Sequence, residues 1–233
     1  MQFDGALAAL VVPASRLENE PRRRRLETGL GVLDAQLGGG WPAASLSELA
    51  GRRSAGRTSV LYASLSSAIN HGHTVALIDA AGVFDPRSAE AAGVVLSRLL
   101  WIRAGARTAL QAADLLVAAG GFGLVAVDFN ERPARVPDAA WLRLRHAAER
   151  QGTAVLIACP GRIVGAVAAA AVVMHDARPH FVDAGGPLLL GLETRATVER
   201  VVGISPPPAN ENIMRFEVDS SRALEPFDPT PPR

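Results

Sequence analysis

The stretch Ser45–Ser64, SLSELAGRRSAGRTSVLYAS, constrains the fold more than any other part of the chain. A short strand, Leu46–Leu49, runs into a loop bracketed by Gly51 and Gly56. The residues after it predict a helix over Thr58–Asn70, with Val60, Leu61, Ser64, Leu65 and Ala68 on one face and Gly72 as its stop. A strand that passes through a glycine turn straight into a helix is the first half of a crossover unit. Its natural continuation is a second strand parallel to the first.

That continuation repeats along the chain. TVALID (Thr74–Asp79) is apolar throughout, as a strand covered on both faces must be. Asp85 and Pro86 cap and open a helix through Ala91, Leu99–Ile102 reads as a strand, and Arg107–Ala119 as a helix. GLVAVD (Gly123–Asp128) is a second fully covered strand. Pro137–Arg150 is an amphipathic helix carrying Trp141, Leu142, Leu144 and Arg145, and Thr153–Cys159 is another apolar strand. The fold class is therefore α/β, a mostly parallel central sheet with helices on both faces. Upstream, a helix around Val32–Leu37 is stopped by three glycines and Pro42. Downstream, Val172–His175, Leu188–Val202 and Ile213–Val218 read as strands without helices between them, which predicts an antiparallel C-terminal extension. Residues 1–25, with the basic run Arg22–Arg25, are expected to form an arm that docks on a partner or stays solvated. Residues 26–218 form the core, and residues 219–233, with four prolines, a disordered tail.

Composition narrows the function classes. With 233 residues, 48% hydrophobic and 20% charged, the chain suits one large-cored domain with tails. A net charge of +1 gives no bulk attraction to nucleic acid or anionic lipid. All 24 basic residues are arginines. Cys159 is the sole cysteine, so an internal disulfide is impossible. The longest apolar run, Ala166–Met174, is far short of the roughly 20 residues that span a bilayer, and the start lacks a basic leader. The expectation is a cytoplasmic protein with no membrane contact. His71, His73, His146, His175 and His180 lack metal-ligand spacing, so no metal site is expected.

The loop Gly51–Thr58 matches the phosphate-cradling template G-x-x-x-x-G-K-[ST] in every letter except one, because Arg57 stands where the template has lysine. Gly51 and Gly56 supply the turn, and Thr58 the hydroxyl that would hold magnesium. Asp128, at the end of a covered strand, is the candidate to orient that metal. Asp79 ends the neighbouring strand, but Ala81 stands where a water-positioning carboxylate would be useful. The strand after Asp128 ends in Cys159-Pro160-Gly161, which offers no side chain to sense a γ-phosphate. Arg57 is bulkier than lysine and its planar fork packs differently. With Arg52 and Arg53, it is expected to hold an anion or to pair with nearby carboxylates such as Asp79.

Five segments in order, GVLDAQLGGGWPAASLSELAGRRSAGRTS, TVALIDAAGVFDP, LLWIRA, LVAVDF and AVLIACPGR, make residues from about Leu26 to about Val218 resemble a RecA-type recombinase core. The resemblance implies a P-loop fold and places Asp85 beside the adenine. It also implies three losses: Arg57 for the loop lysine, Ala81 for the catalytic glutamate, and Pro160-Gly161 for the Asn-Gln pair that couples nucleotide state to DNA. The DNA-gripping loop is shortened to about Arg162–Gly165. This combination is similar to the degenerate RecA-like ImuA family of inducible-mutagenesis cassettes. That likeness implies a non-catalytic SOS-response adaptor in translesion synthesis, with RecA and an ImuB-type inactive Y-family polymerase as partners. Self-association is admitted, and DNA contact would be weak or indirect. On this reading Gly51, Gly56, Arg57, Thr58, Asp79, Asp85 and Asp128 form a degenerate nucleotide site that uses neither ATP nor magnesium. The alternatives are a weak DNA-stimulated ATPase and a SulA-type inhibitor of cell division.

Overall fold

In the computed structural model, which describes residues 24–129, 136–183, 186–203 and 213–217, strands and helices alternate as the sequence requires. β1 (Arg25–Leu26) is followed by α1 (Gly31–Leu37), β2 (Trp41–Pro42), β3 (Ser45–Gly51), α2 (Arg57–Asn70), β4 (Val75–Asp79) and α3 (Pro86–Ala91). Then come β5 (Leu99–Arg103), α4 (Ala109–Ala119), β6 (Leu124–Asp128), α5 (Asp138–Gln151) and β7 (Ala154–Cys159). The last part is all strand: β8 (Ala170–Met174), β9 (Arg178–Asp183), β10 (Pro187–Val201) and β11 (Ile213–Glu217). Most of the expected arm and all of the expected tail lie outside the described residues.

The main sheet has the order β11-β10-β8-β3-β7-β6-β4-β5, with β9 also paired to β10. From β8 to β5 every pairing is parallel, while β10 is antiparallel to β8, β9 and β11. β3 lies at the centre and is buried along its whole length. Both faces are therefore covered, and the strand's polar side chains Ser45, Ser47 and Glu48 are buried along with its leucines. One face packs on α1 and α2 through Leu33, Leu37, Leu61, Leu65 and Ile69. The other packs on α4 and α5 through Ala113, Val117, Trp141 and Leu144. β1 and β2 form a separate antiparallel pair, from which Trp41 is buried and donates its indole N–H to Ser64 on α2 at 2.9 Å. Among the described residues no helix is long and apolar enough to cross a membrane.

The antiparallel extension is present as β9, β10 and β11, but Val172–Met174, expected to belong to it, is part of β8 and runs parallel to β3, and β9 was not foreseen. β9 is exposed along its length, and apart from Phe181-Val182 it lacks the apolar signal by which the other strands were found. β10 is correspondingly long, its second half joining β8 and its first half projecting with β9.

Candidate functional site

The carboxyl ends of β3, β4 and β6 converge on the loop Gly51–Gly56 and the first turn of α2. Asp79 and Asp128 are register partners on adjacent parallel strands, so their carboxyls point to the same side of the sheet as α2. Arg57 opens α2 opposite them. Its side chain is buried, with 6% exposure, and folds back so that Nη1 donates to the carbonyl of Gly51 at 2.8 Å. Nη2 faces Asp128 Oδ1 at 3.6 Å, an ion pair without a hydrogen bond. Arg57 Nε and Asp128 Oδ1 have no hydrogen-bond partner among the described residues. Burial pushes the Asp128 carboxyl above its usual range; Arg57 pulls it back and Asp79 pushes it further up.

The pairing of Arg57 with Asp79, expected as one option, does not form. Asp79 is 1% exposed and fully engaged elsewhere: Oδ1 accepts from the backbone N–H groups of Ala81, Gly82 and Val83, and Oδ2 from that of Phe84. A carboxylate that closes four N–H groups of one turn is a loop anchor, because its lone pairs are already occupied. Asp85 is exposed and caps α3, accepting from Arg87 N, Ser88 N and Ser88 Oγ. The Ser88 hydroxyl bond holds its carboxyl below the ordinary value. Beside it, burial raises the Tyr62 phenol to about 12, and Tyr62, Phe84 and Trp101 form an edge-packed row with centroid distances of 5.8 and 5.0 Å. Thr58 is exposed at the first turn of α2, and Arg52 and Arg53 extend from the loop into solvent.

The loop is covered from the other side by β10. Thr194 is buried and donates its hydroxyl to the carbonyl of Ala55 at 2.7 Å. Gly56 has φ of +84°, and a Cβ there would stand 2.9 Å from Thr194 Cγ2. Gly56→Ala therefore combines left-handed backbone strain with a steric overlap at a side chain that is itself hydrogen-bonded. The expected loss is about 2 kcal/mol in urea unfolding. Thr194→Ser, which removes the clashing methyl, should return part of it in the double variant.

Sequence reasoning missed Glu48. It lies inside β3, is completely buried, and accepts from the backbone N–H groups of Ile163 and Val164 and from Arg162 Nε at 3.0 Å. Arg162 Nη1 in turn reaches Glu199 on β10 at 2.7 Å. The segment following β7 is thus tied to the central strand and to the antiparallel extension. A lone carboxylate within SLSELAG was the available signal, because such a residue needs buried donors.

A doubly covered parallel sheet whose central strand delivers a glycine loop to the helix behind it defines a RecA-like α/β core. The RecA N-terminal domain profile matches residues 15–140, more than half of the chain, and the chain belongs to that family. It is 37% identical over 99 residues to Protein RecA of Lactobacillus delbrueckii subsp. bulgaricus, a match covering 42% of this chain and 30% of the relative. Protein RecA of Lactobacillus acidophilus is 37% identical over 103 residues, covering 43% and 28%. Protein RecA of Francisella tularensis subsp. novicida is 32% identical over 105 residues, covering 44% and 29%. The matches thus span less than a third of these relatives' length.

Family membership raises the question of whether the site suits a magnesium nucleoside triphosphate. The residues present do not fit one. The loop cation is folded back on the loop's own carbonyl, Asp128 faces that cation, and Asp79 is occupied by four amides.

Proposed function

We propose that the chain is a non-catalytic RecA-like adaptor, built on a P-loop scaffold whose nucleotide site has been closed by its own side chains. One observation carries this reading: the buried Arg57 guanidinium is bonded to Gly51 O and faces Asp128, so both the loop's charge and the metal-orienting carboxylate serve each other. Ala81 and Pro160-Gly161 add that these three positions carry no side chain able to position a water or sense a phosphate. The likeness to the ImuA family supports a place in SOS-induced translesion synthesis, with RecA and an ImuB-type inactive Y-family polymerase as binding partners. DNA contact would be weak or indirect.

The expected result is no heat of ATP–Mg binding in calorimetry and background release of radiolabelled phosphate, with or without single-stranded DNA. The protein should co-purify with RecA and with the polymerase-like partner. ATP turnover that Asp128→Ala abolishes overturns the adaptor reading. It would favour instead a weak ATPase, for which the exposed hydroxyl of Thr58 is the supporting observation.

A further inference from the structure

Beside the loop, with Gly51 and Arg52 in its lining, a cleft of about 700 Å³ opens at the carboxyl ends of β3, β7 and β8 and is walled by β10. The charged and titratable residues lining it are Arg52, Arg162, His175, Asp176, Arg195 and Glu199. Arg162 and Glu199 hold each other, and Arg162 is also fixed to the buried Glu48. His175 faces the Thr197 hydroxyl at 2.7 Å. Arg52 and Arg195 are both exposed, and neither guanidinium has a hydrogen-bond or ion-pair partner among the described residues.

We propose that this cleft docks an extended acidic segment of a protein partner, with Arg52 and Arg195 each forking onto a carboxylate. The inference rests on the adaptor reading and names the surface through which one partner is held. Three observations favour a peptide as the occupant. A guanidinium binds a carboxylate through two parallel N–H bonds, so two exposed arginines lining one cleft, neither paired among the described residues, select spaced acidic side chains. Asp176 and Glu199 also line the cleft, which suits a chain with intermittent charge and disfavours a uniformly charged phosphodiester strand. The lining also holds no Phe, Tyr or Trp, and single-stranded nucleic acid is gripped through bases stacked on such side chains. The wall, moreover, is rigid. Glu48 fixes the Arg162–Val164 backbone from within the sheet, so the cleft keeps its shape without a partner and little ordering free energy is lost on binding.

The test uses the full chain, a short fluorescein-labelled peptide of alternating Glu and Ser, its Gln/Ser counterpart, and labelled oligo-dT, all followed by anisotropy. The Glu peptide should bind more tightly than the Gln peptide, in a salt-sensitive way. Arg52→Ala/Arg195→Ala should weaken that binding by about tenfold or more. Both positions are exposed, so the double variant should keep the parent's unfolding midpoint. Equal binding of the two peptides, undiminished binding by the double variant, or oligo-dT displacing the peptide at lower concentration would each overturn the proposal. Nucleotide turnover on the same sample tests the occluded site alone, so failure of the adaptor reading is read separately from failure of the cleft.

Discussion

Glu48→Ala should lower the unfolding free energy by about 3–5 kcal/mol, since it strips the acceptor from two backbone N–H groups, at about 1–3 kcal/mol each, and removes one charge-assisted bond. The magnitude follows from what the carboxylate holds. It lies at the centre of the sheet with no solvent access and closes two backbone N–H groups and one guanidinium. With alanine there, the amides of Ile163 and Val164 lose their acceptor. Arg162 keeps Glu199, but on the solvent side only. Glu48→Gln keeps an acceptor oxygen for the amides and loses the charge, so it should fall between parent and alanine variant. Urea denaturation gives the free energies, and hydrogen exchange at Ile163 and Val164 shows whether the loss is local: both amides should exchange much faster in Glu48→Ala. An alanine variant within 1 kcal/mol of the parent would mean that the segment after β7 is held by something other than Glu48.

The same residue marks the limit of what the sequence made legible. Most parallel strands and helices were readable because they carry a continuous or periodic apolar signal, and the loop at the centre because of its glycine spacing. Boundaries moved by a residue or two, as at β3, where Ser45 and Gly51 belong to the strand although neither is apolar. β9 was missed because an exposed strand is selected by pairing to β10 and leaves little trace in hydropathy. In the site, the sequence named Arg57 and Asp128 but not their mutual pairing. Asp79 and Asp128 both end apolar strands, and sequence alone does not tell which faces the arginine. The turn after β4 decides it: Ala81–Phe84 folds its four amides around Asp79 and leaves Asp128 to Arg57. Thr194 comes from β10, 139 residues beyond the Ala55 carbonyl it touches, and Glu199 meets Arg162 from 37 residues away, so no local pattern could announce either.

Arg57→Ala should destabilise the protein in a way that depends on pH, and the direction separates an internal ion pair from simple packing. Removing the guanidinium leaves Asp128 buried beside Asp79 with nothing to offset its charge. Its carboxyl is already held above the unfolded value by burial, and without the lowering influence of Arg57 it must rise further. A carboxyl raised in the folded state favours the folded state while it is protonated. That contribution is present below the unfolded value of about 3.9 and is lost as pH rises through the folded value. The parent and the variant lose it over different windows, the variant's extending to higher pH. The deficit of Arg57→Ala should therefore be small in acid, where Asp128 is neutral in both proteins. It should widen as pH climbs from the parent's folded value to the variant's, and level off at about 3–5 kcal/mol once Asp128 is ionised in both or is kept neutral at matching cost. Asp128→Asn in the Arg57→Ala background removes the remaining charge, so the double variant should recover most of the lost stability and show a flat profile across neutral pH. Urea titrations of the four proteins of this cycle at several pH values give the coupling directly. A deficit of Arg57→Ala that neither changes with pH nor responds to Asp128→Asn would show that Arg57 acts in packing alone, and the occluded site would lose its electrostatic basis.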